Sequence, residues 1–233
     1  MIDRRLRALL PKDVGVGLQR LDLAGPPPWA NEDVTLARAV SARRMEFAAG
    51  RAAARAAMAQ IGVLPCAIPV RPDRAPEWPS GLCGSISHGG SQAGAIVSRR
   101  TDWAGLGLDL EPAAPMAADL ADLVRHPGDQ DATGLPPELA ATLCFGVKEA
   151  AFKAQFPLIA QWLDYRDIAM TVTPDRFQLM LKGVRLQGQW FQEDGMFVSV
   201  LLISLEQGRQ LGGLGPDIMP LQDPLPGDLS HLR

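Results

Sequence analysis

Phe145-Gly146-Val147-Lys148-Glu149-Ala150-Ala151-Phe152-Lys153 reads as one stretch of a long helix. Alanine, glutamate and lysine favour helix, and Glu149 and Lys153, four residues apart, share one face. Upstream stands Gly107-Leu108-Asp109-Leu110-Glu111. Here Leu106, Leu108 and Leu110 alternate with Gly107, Asp109 and Glu111. A strand with this period of two projects both acids from one side and turns the leucines to a core. Two carboxylates on a strand, a third on a helix and a nearby cation suit Mg²⁺ and phosphate. Mg²⁺ takes few protein oxygens and leaves its other positions to water and phosphates. Each half also has an ordinary reading. Outward acids mark any sheet solvated on one face, and Glu followed by Lys at i,i+4 is a common surface pair.

A third segment joins these two: Trp78-Pro79-Ser80-Gly81-Leu82-Cys83-Gly84-Ser85-Ile86-Ser87-His88-Gly89-Gly90. It reads as a short strand ending in a Gly-rich turn. Backbone N–H groups, hydroxyls and an imidazole can all bind phosphate oxygens. Taken alone, it reads better as a hairpin loop with a surface histidine.

In this order, the three segments resemble the central motifs of the 4'-phosphopantetheinyl transferases, of the single-chain Sfp and enterobactin-synthase type. Arg43-Arg44-Met45-Glu46-Phe47-Ala48-Ala49-Gly50-Arg51 resembles that family's N-terminal arginine motif. The resemblance runs from Leu36 to Phe197. One departure is Gly146, where the family often has Ser.

The resemblance implies an enzyme that moves phosphopantetheine from coenzyme A to a serine of an apo acyl, aryl or peptidyl carrier protein. Adenosine 3',5'-bisphosphate is the second product. Siderophore (enterobactin-like), polyketide or nonribosomal peptide synthesis would be served. Mg²⁺ would be the cofactor, with Asp109, Glu111 and Glu149 as ligands. Glu149 would also activate the carrier serine. Lys153 would aim its ammonium at the phosphates, with Ser87 and His88 holding the pyrophosphate from the other side. Arg44 and Arg51 would take the 3'-phosphate, the guanidinium fork fitting phosphate well. Arg74 would lie near the adenine, with Trp78 packed beneath its loop. Lys148 points elsewhere on the helix and receives no role. A monomer is expected by the same analogy.

Composition agrees with a cytoplasmic globular enzyme. The 233 residues are 47% hydrophobic and carry a formal net charge of −3. That balance builds a sizeable core and leaves no basic footprint for nucleic acid. Cys66, Cys83 and Cys144 are scattered and odd in number. They suggest neither a zinc site nor a disulfide framework, and reduced thiols are expected. The first residues are charged, with no apolar run of signal-peptide length, and no stretch reads as a membrane span.

Residues 14–23 read as a strand, and Asn31-Glu32-Asp33 offers helix-start chemistry. Residues 41–61 read as a long helix stopped by Gly62. Strands at 92–98 and 103–111 look paired through the Arg99-Arg100-Thr101-Asp102 turn. Residues 112–137 form a partly helical connector, and a second long helix runs over 138–156, ended by Pro157. Further strands fall at 168–172, 176–181, 184–191 and 196–205. The plan of a long helix and antiparallel hairpins thus occurs twice. This suggests an α+β fold of two similar lobes, each a long helix on an antiparallel sheet; the resemblance implies that they form a pseudo-dimer with the active site in the cleft. The expected division is an N-terminal lobe over 1–112, a C-terminal lobe over 113–206 and a Gly/Pro-rich tail over 207–233. The Asp109 strand would belong to the first lobe.

Two other functions fit parts of the pattern. A non-catalytic carrier- or CoA-binding protein would use the carboxylates as a solvated face. A serine hydrolase would use Ser85 or Ser87 with His88. However, no Gly-x-Ser-x-Gly elbow is present, and adjacent strand residues diverge to opposite faces. A nucleotide kinase lacks its phosphate loop.

Overall fold

A computed structural model describes residues 1–21, 26–32 and 40–212. Helix-start chemistry at Asp33 and the tail beyond 212 therefore lie outside the described residues. The first lobe opens with α1 (Ile2–Leu9) and β1 (Gly15–Arg20), followed by α2 (Ser41–Gln60), β2 (Leu82–Gly89) and β3 (Gln92–Arg99). Its antiparallel sheet has the order β1-β3-β2. Next come β4 (Gly105–Pro112), α3 (Ala118–Val124), β5 (Gln130–Asp131) and α4 (Pro137–Ile159). The chain continues through β6 (Met170–Val172), β7 (Arg176–Leu181), β8 (Val184–Glu193), β9 (Met196–Ile203) and α5 (Leu205–Gln210). The second sheet runs β4-β9-β8-β7-β6-β5, antiparallel except for β5 beside β6. No helix among the described residues is long and apolar enough to cross a membrane.

Both lobes use one packing device. In β1, Gly15 and Gly17 lie directly under the carbonyls of Ala57 and Ala53 on α2. In β4, Gly105 and Gly107 lie under the carbonyls of Ala154 and Ala150 on α4. Glycines two apart share a strand face, and alanines four apart share a helix face. Each helix therefore rests on bare backbone. A methyl group at any of these glycines would overlap the carbonyl above it.

Three cores follow from this layering. One lies between α2 and the first sheet, with Ala53, Ala57, Met58 and Ile68. A second lies between α4 and the second sheet, with Val147, Ala151, Phe177 and Leu201. The third joins the lobes: Leu106, Leu108 and Leu110 of β4 meet Val16, Ile96 and the α1 residues Ile2 and Leu6.

Several expectations need correction. β3 and β4 do not pair; β4 hydrogen-bonds to β9, with Asp109 opposite Ser199. The turn at 99–102 passes the chain from one sheet to the other, so the sheets divide before residue 105 rather than at 112. The Asp109 strand is therefore the edge of the second sheet. Local alternation is the same whichever strand is the partner, so the pattern could not choose. Pro157 does not end α4, which continues to Ile159. Proline withholds only its own N–H, here from the Lys153 carbonyl, and the last turn tolerates that loss. The tail does not begin at Gln207, because α5 covers that position with a capping box between Ser204 and Gln207.

Packing this close makes the glycines testable. Gly107→Ala and Gly17→Ala should each lower unfolding free energy by about 1–3 kcal/mol or more in urea titrations. A parent-like midpoint would mean that the helix does not rest on the strand. The thiols give a pH test. Burial pushes Cys83 from an ordinary 9.0 up to about 11 and Cys144 up to about 12. From pH 9 upward the unfolded chain releases these protons while the folded chain keeps them, so stability should fall through that window. At pH 8 in the folded protein, iodoacetamide should label the half-buried Cys66 alone, read by peptide mass spectrometry.

Candidate functional site

The site is built where β2 crosses the outer edge of β4. Leu108 and Leu110 turn their N–H groups away from β9, and the hydroxyls of Ser85 and Ser87 accept from them at 3.0 and 3.2 Å. Side chains thus cover a strand edge that would otherwise stay open. Ser87 Oγ also donates to Asp109 Oδ1 at 2.9 Å. From α4 above, Lys153 Nζ donates to the same Asp109 Oδ1 at 2.6 Å and to Ser87 Oγ at 3.2 Å. Glu149, one turn earlier on α4, presents Oε2 3.8 Å from the Lys153 ammonium. Asp109 is 1% exposed, so this charge stands only because of its partners.

Gly146 sits directly over this corner. A Cβ there would lie 3.1 Å from Asp109 Oδ2, 3.5 Å from Glu111 Cγ and 3.6 Å from Ser199 Oγ. Asp109 Oδ2 and Ser199 Oγ are buried without a hydrogen-bond partner. The bare backbone of Gly146, where even a Cβ would press on Asp109, therefore leaves buried hard oxygens turned toward one small space. That donor chemistry fits Mg²⁺. The three expected ligands are not gathered into one cage, however. Among the described residues, no three His, Cys, Asp or Glu side chains converge closely enough to hold an ion alone. Asp109 and Glu111 share the β4 side, and the Lys153 ammonium stands between Asp109 and Glu149.

His88 leaves β2 on the face opposite Ser87. Its Nε2 lies 2.8 Å from Arg43 Nη1 and 3.8 Å from Glu46 Oε2. Arg43, quoted in the arginine motif but given no role of its own, is thus the arginine that reaches His88. It lies two turns before Gly50 on the same face of α2, and Gly50 abuts Ile86 of β2; that spacing is the signal that could have found it. Arg44 is exposed on the same turn. Arg74 is exposed in the 71–76 loop with φ 66°. Trp78 packs on β2 at Gly84.

Two expected roles change. Ser87 does not face outward to a ligand; its hydroxyl is taken by Asp109, Leu110 and Lys153. Arg51 is 5% exposed. Its Nε donates to the Ile68 carbonyl at 2.6 Å and its guanidinium lies over the Phe47 ring at 4.4 Å. Burial lowers it to about 10. It secures the 68–69 segment against α2 instead of pointing to solvent. A helix-face pattern cannot separate these two fates for an arginine.

Lys148 gains a role. Its Nζ is buried and donates to the Val124 carbonyl, the Tyr165 carbonyl and Asp129 Oδ2 at 2.9, 2.7 and 2.9 Å. Tyr165 in turn donates its hydroxyl to Glu149 Oε1. A cavity of about 460 Å³ lies elsewhere, between the 125–131 loop, α4 at Leu143 and Cys144, and β6. It contains neither Asp109 nor Glu149, and its Asp129 is already paired with Lys148.

Comparison with known proteins agrees with this layout. A model of the 4'-phosphopantetheinyl transferase N-terminal domain matches residues 31–98, and one of the 4'-phosphopantetheinyl transferase superfamily matches 105–195. The gap between them falls at the 99–102 turn, where the sheets divide. The chain is 33% identical to the 4'-phosphopantetheinyl transferase Svp of Streptomyces mobaraensis over 199 residues, 77% of this chain and 80% of that protein. It is 30% identical to the 4'-phosphopantetheinyl transferase PptT of Mycobacterium tuberculosis over 221 residues, 84% and 96% of the two chains. Enterobactin synthase component D of Escherichia coli K12 is 36% identical over 147 residues, 60% and 69%.

Removing one partner of a buried pair strands the other. Lys148→Met should therefore cost about 3–5 kcal/mol in chemical denaturation. Lys148→Met/Asp129→Asn should recover part of that loss. Parent-like stability of the single variant would mean that the ammonium is not buried in solution.

Proposed function

Because the chain belongs to the 4'-phosphopantetheinyl transferase superfamily, we propose that the corner between β2, β4 and α4 is where it transfers 4'-phosphopantetheine from coenzyme A to a carrier-protein serine. The observation that carries this reading is the meeting of Asp109, Ser87 and Lys153 at one carboxylate oxygen, with Glu149 beside them. The new bond joins the serine oxygen to the pantetheine-bearing phosphorus. The bond that breaks leads to the departing adenosine 3',5'-bisphosphate. Catalysis of such a displacement rests on charge stabilisation and positioning.

Asp109 and Glu111 would hold Mg²⁺ from the β4 side, the unpartnered Asp109 Oδ2 supporting the fit. When bound there, Mg²⁺ supplies positive charge against the pyrophosphate oxygens. Lys153 adds a second positive charge, fixed by Asp109, at the same phosphates. Across β2, His88 with Arg43 forms a cationic ledge for the anionic end of coenzyme A, and Arg44 and Arg74 extend it along the α2 start and the 71–76 loop. Arginine forks suit such phosphate contacts. Glu149, partly exposed beside Lys153, would take the proton of the attacking serine. Mass-spectrometric transfer to a panel of apo-carriers, with siderophore carriers first, tests the activity and names the partner. A cytoplasmic location accords with the scattered, unpaired cysteines, a monomer follows only by analogy with the family, and gel filtration with light scattering tests the oligomeric state.

Glu149→Gln keeps size and an acceptor oxygen but cannot take a proton. Single-turnover transfer should fall by about 10²–10⁴-fold, the range for a positioned general base. Coenzyme A should still bind, and saturating Mg²⁺ should not restore the rate. Recovery at high Mg²⁺ would make Glu149 a ligand only.

A further inference from the structure

Tyr165 is the chain's single tyrosine. It lies past the end of α4, yet α4 holds it at three points. Its ring packs on Phe145 with centroids 5.4 Å apart. Its carbonyl accepts from the buried Lys148 ammonium at 2.7 Å. Its hydroxyl donates to Glu149 Oε1. Lys148 is itself anchored by Asp129 and the Val124 carbonyl, so the tyrosine is tied through it to the 124–129 segment. The phenol oxygen is set by the same helix that carries its acceptor.

We propose that Tyr165 is a positioning residue for Glu149. Its hydroxyl pins Oε1, and the second oxygen, Oε2, is thereby presented toward Lys153 and Asp109. A glutamate side chain loses considerable rotamer freedom when fixed. A charge-assisted O–H···O⁻ bond is strong enough to hold one orientation before substrate arrives. Pinning one oxygen also keeps the other from being drawn into the same bond, so a single atom meets the serine. The role rests on the reading of Glu149 as the proton acceptor. The ordinary alternative is a tyrosine that merely satisfies its own hydroxyl; in that case transfer does not depend on the bond.

The test uses the full chain and the variants Tyr165→Phe, Glu149→Gln and their combination. Phenylalanine keeps the ring on Phe145, so the folded state and melting temperature should stay near the parent. kcat should fall by about 10- to 100-fold, the range for losing the outer partner of an active-site ligand. KM for coenzyme A should stay within about twofold, because the arginines and His88 are untouched. Adding Tyr165→Phe to Glu149→Gln should bring no further loss, since the tyrosine acts only through that carboxylate. A second readout needs no turnover. Chain grown with 3-fluorotyrosine carries one fluorine reporter, and its ¹⁹F resonance should move when Glu149 becomes Gln. Parent-like kcat in Tyr165→Phe alongside an impaired Glu149→Gln overturns the positioning role alone. So do additive losses in the combined variant, or an unmoved fluorine resonance. An unimpaired Glu149→Gln overturns instead the reading of Glu149 on which the role rests.

Discussion

A buried carboxylate must be surrounded by partners or it cannot stay charged. Asp109 is that carboxylate here, and three parts of the chain meet at it. Ser87 comes from the first sheet, Lys153 from the helix over the second sheet, and Asp109 itself from the strand between them. None of these elements can shift far without stranding the charge. The lobe contact and the candidate chemistry thus share one set of hydrogen bonds. A variant that disturbs one will disturb the other, which is why the conservative Glu149 and Tyr165 exchanges separate chemistry from folding better than changes at Asp109.

The two lobes repeat an idea more than a sequence. Gly-x-Gly on a strand and Ala-x-x-x-Ala on a helix bring backbone to backbone in each. What differs is the strand's other cargo. In β1 the face of the two glycines continues as Gln19, whereas in β4 it continues as Asp109 and Glu111. The close packing lowers α4 until Gly146 lies over those acids, and the candidate site follows from that approach.

Much of this was legible beforehand, for specific reasons. The periods of two and 3.6 placed Asp109 with Glu111, and Glu149 with Lys153, because side-chain direction follows backbone period. Alternation also separated Ser87 from His88. What failed was everything that depends on a distant partner. β4 reads the same beside β3 or β9. Arg51 and Arg43 look alike on a helical wheel until β2 and the 68–69 segment are in place. Lys148 gave no hint of its three acceptors, which lie in irregular chain at 124, 129 and 165. Tyr165 sits in a stretch with no period at all.

The pairing of β4 with β9 also sets a timetable. During synthesis the leucines of Leu106, Leu108 and Leu110 leave the ribosome long before Met196 to Ile203 exist to bond with them. Such non-local pairing is slow to form, and unpaired apolar strands invite aggregation. The first lobe and the serine hydroxyls of β2 are already available in that interval. They can shelter one side and one edge of β4 while the rest of its sheet is made. The serine ladder that frames the site would then serve the newborn chain as an internal chaperone.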